Sequence, residues 1–102
     1  MTLTEKDNGQ NFDVSADSTL TIRLKENPTT GYRWAVDSSD GLEPAGSQFQ
    51  PGASPGAGGT RILQFKVPSA GTHDLRLHHW REWEGESSIT DRFTAKVNVK
   101  QK

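Results

Sequence analysis

The chain has 102 residues, no cysteine, and a formal net charge of -1 from 12 basic and 13 acidic residues. That length supports one hydrophobic core, and a single domain over residues 1–102 is expected. The missing cysteines exclude disulfides, thiol chemistry and cysteine-ligated zinc or iron–sulfur centres, and the balanced charge gives no footprint for nucleic acid or an anionic membrane. No apolar run approaches the roughly 18 residues of a spanning helix. The stretch Met1 to Lys6 lacks the charged and apolar regions of a signal peptide. The expected compartment is therefore cytoplasmic, or periplasmic or secreted where a leader has been removed.

Taken in order, Thr2 to Lys6 alternates weakly and predicts a short first strand, closed by the turn signal Asp7-Asn8-Gly9. Gln10 to Val14 predicts a second, with Phe12 and Val14 on one face, and Ala16-Asp17-Ser18 turns into the most regular strand of the chain. From Ser18 to Glu26, Leu20, Ile22 and Leu24 share one face while Thr19, Thr21, Arg23 and Lys25 share the other. A rigid polar turn follows at Asn27-Pro28-Thr29-Thr30-Gly31-Tyr32. Pro28 fixes its own φ and pushes Asn27 towards an extended conformation, Gly31 accepts a positive φ, and the two threonines are stiff at χ1. A loop ordered in advance lowers the entropic cost of binding, although a Pro-x-x-Gly segment read by itself is first of all a tight connection.

Beyond the turn, Tyr32, Trp34 and Val36 face one way and Arg33 and Ala35 the other, with Trp34 expected in the core. Asp37 to Gly41 is a polar turn, and Leu42 to Gln50 a poorly patterned edge strand carrying Phe49. Pro51 to Gly59 is a Gly/Pro-rich loop longer than a plain hairpin needs. Too few residues lie on either side of it for two cores. From Thr60, Leu63, Phe65 and Val67 alternate with Ile62, Gln64 and Lys66, and Pro68 to Gly71 turns the chain. Thr72 to Trp80 sets Leu75, Leu77 and His79 against Asp74, Arg76, His78 and Trp80. Arg81 to Ser88 breaks the alternation and reads as an exposed loop, after which Ile89 to Val99 turns Phe93, Ala95, Val97 and Val99 inward. No segment carries a convincing helical period. Seven or eight short strands with turn signals between them predict an all-β fold without significant helix, an immunoglobulin-like β-sandwich.

If successive strands run alternately up and down, the loops over residues 26–32, 51–60 and 81–88 emerge at one end, where a sandwich presents binding loops side by side. They offer a stiff threonine turn, a glycine-rich backbone, and Trp83 beside Arg81, residue types favoured as interface anchors. Other chemistries fit less well. His73 and His79 share strand parity while His78 lies on the opposite face, so the three do not converge on a metal without another element. No cysteine nucleophile and no serine elbow support an enzyme. The cluster Glu82, Glu84 and Glu86 reads as a solvated acidic loop. Tyr32, Trp80 and Trp83 leave a carbohydrate-binding or adhesive immunoglobulin-like module as the alternative.

At this point the residues resemble the chagasin-like inhibitors of papain-like cysteine peptidases. Asn27-Pro28-Thr29-Thr30-Gly31-Tyr32 matches the Asn-Pro-Thr-Thr-Gly-aromatic motif of that family's first loop. Gly56-Ala57-Gly58-Gly59 matches the Gly-x-Gly-Gly motif of the second, and Arg81-Glu82-Trp83 is similar to the Arg-Pro-aromatic motif of the third. Asn8-Gly9, Ala70-Gly71-Thr72-His73 and Arg92-Phe93-Thr94 extend the likeness over nearly the whole chain. One departure is Glu82, which stands where the family usually has proline. The resemblance implies a reversible, tight-binding inhibitor of enzymes such as papain and cathepsin L-like peptidases, acting without cofactor and monomeric when free. It implies a wedge of three loops, with Thr29 and Thr30 over the catalytic residues, Gly56 to Gly59 against the substrate-binding strand, and Trp83, supported by Arg81, stacked on the primed side.

Overall fold

A computed structural model describes residues 1–52, 58–68 and 71–100. Among these residues, eight strands form two four-stranded sheets. The first sheet holds β1 (Thr2–Leu3), β3 (Thr19–Glu26), β6 (Gly59–Lys66) and β5 (Glu43–Pro51), in the order β1-β3-β6-β5. The second holds β2 (Gln10–Ser15), β8 (Asp91–Lys100), β7 (Gly71–Trp80) and β4 (Arg33–Ser38), in the order β2-β8-β7-β4. This is the expected β-sandwich. Its helical content among the described residues is three 3₁₀ segments, Glu5–Asp7, Pro28–Thr30 and Glu82–Ser88, and no helix is long and apolar enough to cross a membrane.

Alternation explains the core. Leu20, Ile22 and Leu24 of β3 are fully buried and lie opposite Phe65, Leu63 and Arg61 of β6. From the facing sheet, Leu75 and Leu77 of β7 and Phe93, Ala95 and Val97 of β8 close on them. Burial of each large apolar side chain is worth roughly 1.5–3 kcal/mol. The edge strand β5 pairs only with β6 and is exposed along most of its length, which is why its pattern is poor.

Three details depart from the alternation. The first strand is shorter than expected, because Thr4 leaves it to cap the turn Glu5–Asp7. Val36 does not follow Trp34 inward: β4 is an edge strand whose register shifts between Val36 and Ser38, and Val36 is exposed. Ile62, on the face shared with Gln64 and Lys66, is nevertheless buried.

Register fixes the positions of the loops. Glu26 pairs with Gly59, Pro51 with Gly59, and Arg33 with Trp80. The ends of β3, β5 and β7 and the starts of β4, β6 and β8 therefore share one end of the sandwich. The two parallel pairs, β1 with β3 and β2 with β8, join strands of the same sense in an up-and-down chain, so strict alternation holds. It also brings the β1–β2 connection to this end, where Lys25 N–H donates to Glu5 Oε1 at 2.6 Å.

Candidate functional site: three loops at one end

The first loop holds its shape through Asn27. Its Oδ1 accepts from the N–H of Thr29 at 3.1 Å and from the Thr29 hydroxyl at 2.6 Å, an Asx-type turn. Its carbonyl accepts from Thr30 N–H at 3.2 Å and from Thr30 Oγ1 at 2.8 Å. Both threonines remain exposed. Gly31 has φ +82°, in the left-handed region, and a Cβ there would run into the Trp83 indole, 2.9 Å from Cζ2. The chain therefore places glycine where the backbone reverses and where an aromatic ring from another loop rests.

The second loop is closed by Gly52 N–H donating to Gly58 O at 2.7 Å. Gly58, at φ +78°, lies close against the first loop: a Cβ would come within 3.1 Å of both Asn27 Cβ and Glu26 O. At Gly59 a Cβ would meet the Phe49 ring, 2.8 Å from Cζ. Gly56 and Ala57, the first half of the expected motif, lie outside the described residues.

The third loop, read from sequence as irregular, is wound into 3₁₀ turns over Glu82–Ser88. Ser88 closes it: buried, it accepts from Arg81 N–H at 3.0 Å and its hydroxyl donates to Gly85 O at 2.6 Å. Glu82, in the position of the expected proline, opens these turns and is exposed. Trp83 is 72% exposed although its ring rests on Gly31. Arg81 reaches across to the first loop, where Nε donates to Thr30 O at 3.0 Å and the guanidinium lies 4.6 Å from the Tyr32 ring centroid. Its Nη1 stands 3.4 Å from Glu84 Oε1.

Beneath the loops runs a column of rings. Tyr32 stacks on His79 at 5.2 Å, and Trp34 lies tilted against the same imidazole at 5.1 Å. Trp34 is half-buried and packs on the core, as expected of it, while its indole N–H donates to Lys25 O at 2.8 Å. His79 Nδ1 is 2.8 Å from Thr90 Oγ1. Burial lowers the His79 pKa below the ordinary 6.5, with the charges of Asp91 and Glu26 opposing the shift. The other histidines are engaged elsewhere, His73 Nδ1 with Asp40 O and His78 Nδ1 with Asp37 Oδ1 at 2.5 Å. Among the described residues no three His, Cys, Asp or Glu side chains are grouped to hold a metal ion.

Sequence reasoning missed Glu26. It shares the parity of Leu20, Ile22 and Leu24, which is the one signal that marked it as inward-facing, and it is 2% exposed. Its carboxylate pairs with Arg61, Oε1 to Nη2 at 2.7 Å.

The family model described as Chagasin family peptidase inhibitor I42 matches residues 13–97. Chagasin of Trypanosoma cruzi is 35% identical over 100 residues, covering 90% of this chain and 91% of its own length. Amoebiasin-1 of Entamoeba histolytica is 36% identical over 104 residues, covering 97% of this chain and 99% of its own. Among solved structures, the cysteine protease inhibitor EhICP2 from Entamoeba histolytica superposes with a TM-score of 0.84 at 25% identity, covering 97% of this chain and 93% of that one. Family model, relatives and fold agree, and the chain belongs to the chagasin family of peptidase inhibitors.

Proposed function

We propose that this chain is a reversible, tight-binding inhibitor of papain-like cysteine peptidases that fills the active-site cleft with its loop end. The observation that carries this reading is the clasp between the first and third loops, Arg81 Nε on Thr30 O at 3.0 Å with Trp83 seated on Gly31. Two motif segments some fifty residues apart in sequence form one rigid edge before any partner arrives. Rigidity of that kind lowers the ordering cost of binding.

In this reading the turn Asn27-Pro28-Thr29-Thr30-Gly31 lies over the catalytic cysteine. It resists cleavage through its shape: the hydrogen bonds from Thr30 to the Asn27 carbonyl and from Arg81 to the Thr30 carbonyl hold it as a turn and oppose the extended conformation of a substrate strand. The glycine backbone at Gly58 and Gly59, with Gly56 and Ala57 before it, approaches an enzyme strand closely and exchanges main-chain hydrogen bonds. Trp83 supplies an exposed aromatic anchor on the other flank. Glu82 adds a carboxylate beside that anchor and disfavours peptidases with an acidic surface there. Such an interface buries about 1,600 Å² in total and requires no covalent step and no cofactor.

A sugar-binding platform is disfavoured by the same geometry. Tyr32 is already engaged within the protein, with the Arg81 guanidinium 4.6 Å from its ring centroid and His79 stacked on it at 5.2 Å, while Trp80 packs edge-on with His78. The test is steady-state inhibition of papain and a cathepsin L-like enzyme, with trypsin as the serine-peptidase control. Reversible inhibition of the cysteine enzymes alone is expected; a folded sample that inhibits neither refutes the proposal.

A further inference from the structure

At the root of the first loop one carboxylate joins the two sheets. Glu26 ends β3 with its side chain wholly removed from solvent. Oε1 accepts from both Nε and Nη2 of Arg61 on β6, at 3.0 and 2.7 Å. Oε2 accepts from the backbone N–H of Trp34 on β4, in the opposite sheet, at 2.9 Å. Arg61 is held in turn, Nη1 donating to Ser47 Oγ on β5 at 3.3 Å and the guanidinium lying 5.6 Å from the Phe49 ring centroid. The Glu26 carbonyl itself lies against Gly58. One residue thus grips both ends of the excursion that carries the first loop, and the strand on which the second loop returns.

Stability alone does not account for this arrangement. A buried ion pair loses much of its attraction to desolvation, and apolar residues of the same volume are often as stable. Apolar contact, however, is non-directional, whereas charge-assisted hydrogen bonds fix position. We infer that Glu26 is a positioning residue for peptidase inhibition: it sets the first loop in register with the second loop and with β4, so that the inhibitory edge exists before contact. This inference rests on the cleft-blocking reading above.

Glu26→Gln isolates the effect. Glutamine keeps an oxygen for Arg61 but turns an amide N–H₂ towards Trp34 N–H, donor against donor, and removes the counter-charge. The control is Val97→Ala, which opens a fully buried core position outside the loops. Two quantities are measured in both: the inhibition constant for papain, and hydrogen exchange of the Thr30 and Trp34 amides, which donate to Asn27 O and Glu26 Oε2. Glu26→Gln is expected to raise the inhibition constant at least about tenfold and to speed both exchanges, whereas Val97→Ala, at equal or greater loss of Tm, leaves the inhibition constant at the wild-type value and speeds them less. An inhibition constant for Glu26→Gln within about twofold of wild type, or an equal rise in Val97→Ala, overturns the inference. Should Glu26→Gln fail to fold, Arg61→Lys keeps the charge but loses the planar fork; unchanged inhibition and exchange in that variant overturn it equally. If the wild-type chain does not inhibit papain, the cleft-blocking reading fails and exchange decides: faster Thr30 and Trp34 exchange in Glu26→Gln than in Val97→Ala supports the positioning role, and equal exchange refutes it.

Discussion

Gly31→Ala separates what a glycine does for its own backbone from what it does for Trp83. At φ +82° an L-residue is strained by about 1–2 kcal/mol, which in a domain of this size lowers Tm by roughly 4–8 °C per kcal/mol. The Cβ would also occupy the space of the Trp83 ring, 2.9 Å from Cζ2, and the indole, held on that side by contact with Gly31, must swing away. Gly9→Ala is the matched control: its φ of +79° imposes the same strain, yet a Cβ there meets nothing within 4 Å. Both variants should lose similar Tm by thermal denaturation, but only Gly31→Ala should lose inhibition of papain, by about 2 kcal/mol or about 30-fold. The double variant with Trp83→Ala should inhibit no worse than Trp83→Ala alone, since both substitutions remove the same anchor. Equal inhibition by Gly31→Ala and Gly9→Ala, or fully additive losses in the double variant, would refute the seating of Trp83 on Gly31 as the cause.

Three further outcomes are expected. Trp83→Ala should weaken peptidase binding by about 2 kcal/mol or more with Tm within a degree or two of wild type, since the ring is 72% exposed; unchanged affinity would reject its anchoring role. Trp34→Ala should cost about 3 kcal/mol of stability or more, because the ring packs on the core and against His79 and its N–H is bonded to Lys25 O; a negligible shift in denaturation midpoint would show that the ring contributes little to the core. His79 links stability to pH. Its folded pKa lies below 6.5, so below that pH the unfolded chain binds more protons than the folded one. The stabilisation is complete above about 6.5 and is lost as pH falls from there to the lowered folded value. Tm measured from about pH 8 to about pH 5 should fall more in the wild type than in His79→Gln, and parallel curves would exclude His79 as the cause.

Alternation along β3, β6, β7 and β8 is a local property, and the sequence alone determined it: which leucines face inward, that the strands have two unlike faces, and, from the parity of strand passes, that three loops share one end. The same holds for the shape of the first loop, where Asn27 and Gly31 act on their nearest neighbours. Partnership between distant residues was decided only by the tertiary structure. Glu26 reads as the polar end of a strand until β6 is paired beside it and brings Arg61 from 35 residues away. Nothing local says that Arg81 donates to a carbonyl 51 residues earlier, or that Trp83 lies on Gly31. Val36 likewise alternates with Trp34 on paper, but its exposure depends on β4 being an edge strand with a register shift. Period-2 patterning reports which side of a strand a residue occupies, whereas what covers that side depends on the neighbours that sheet pairing and loop packing supply.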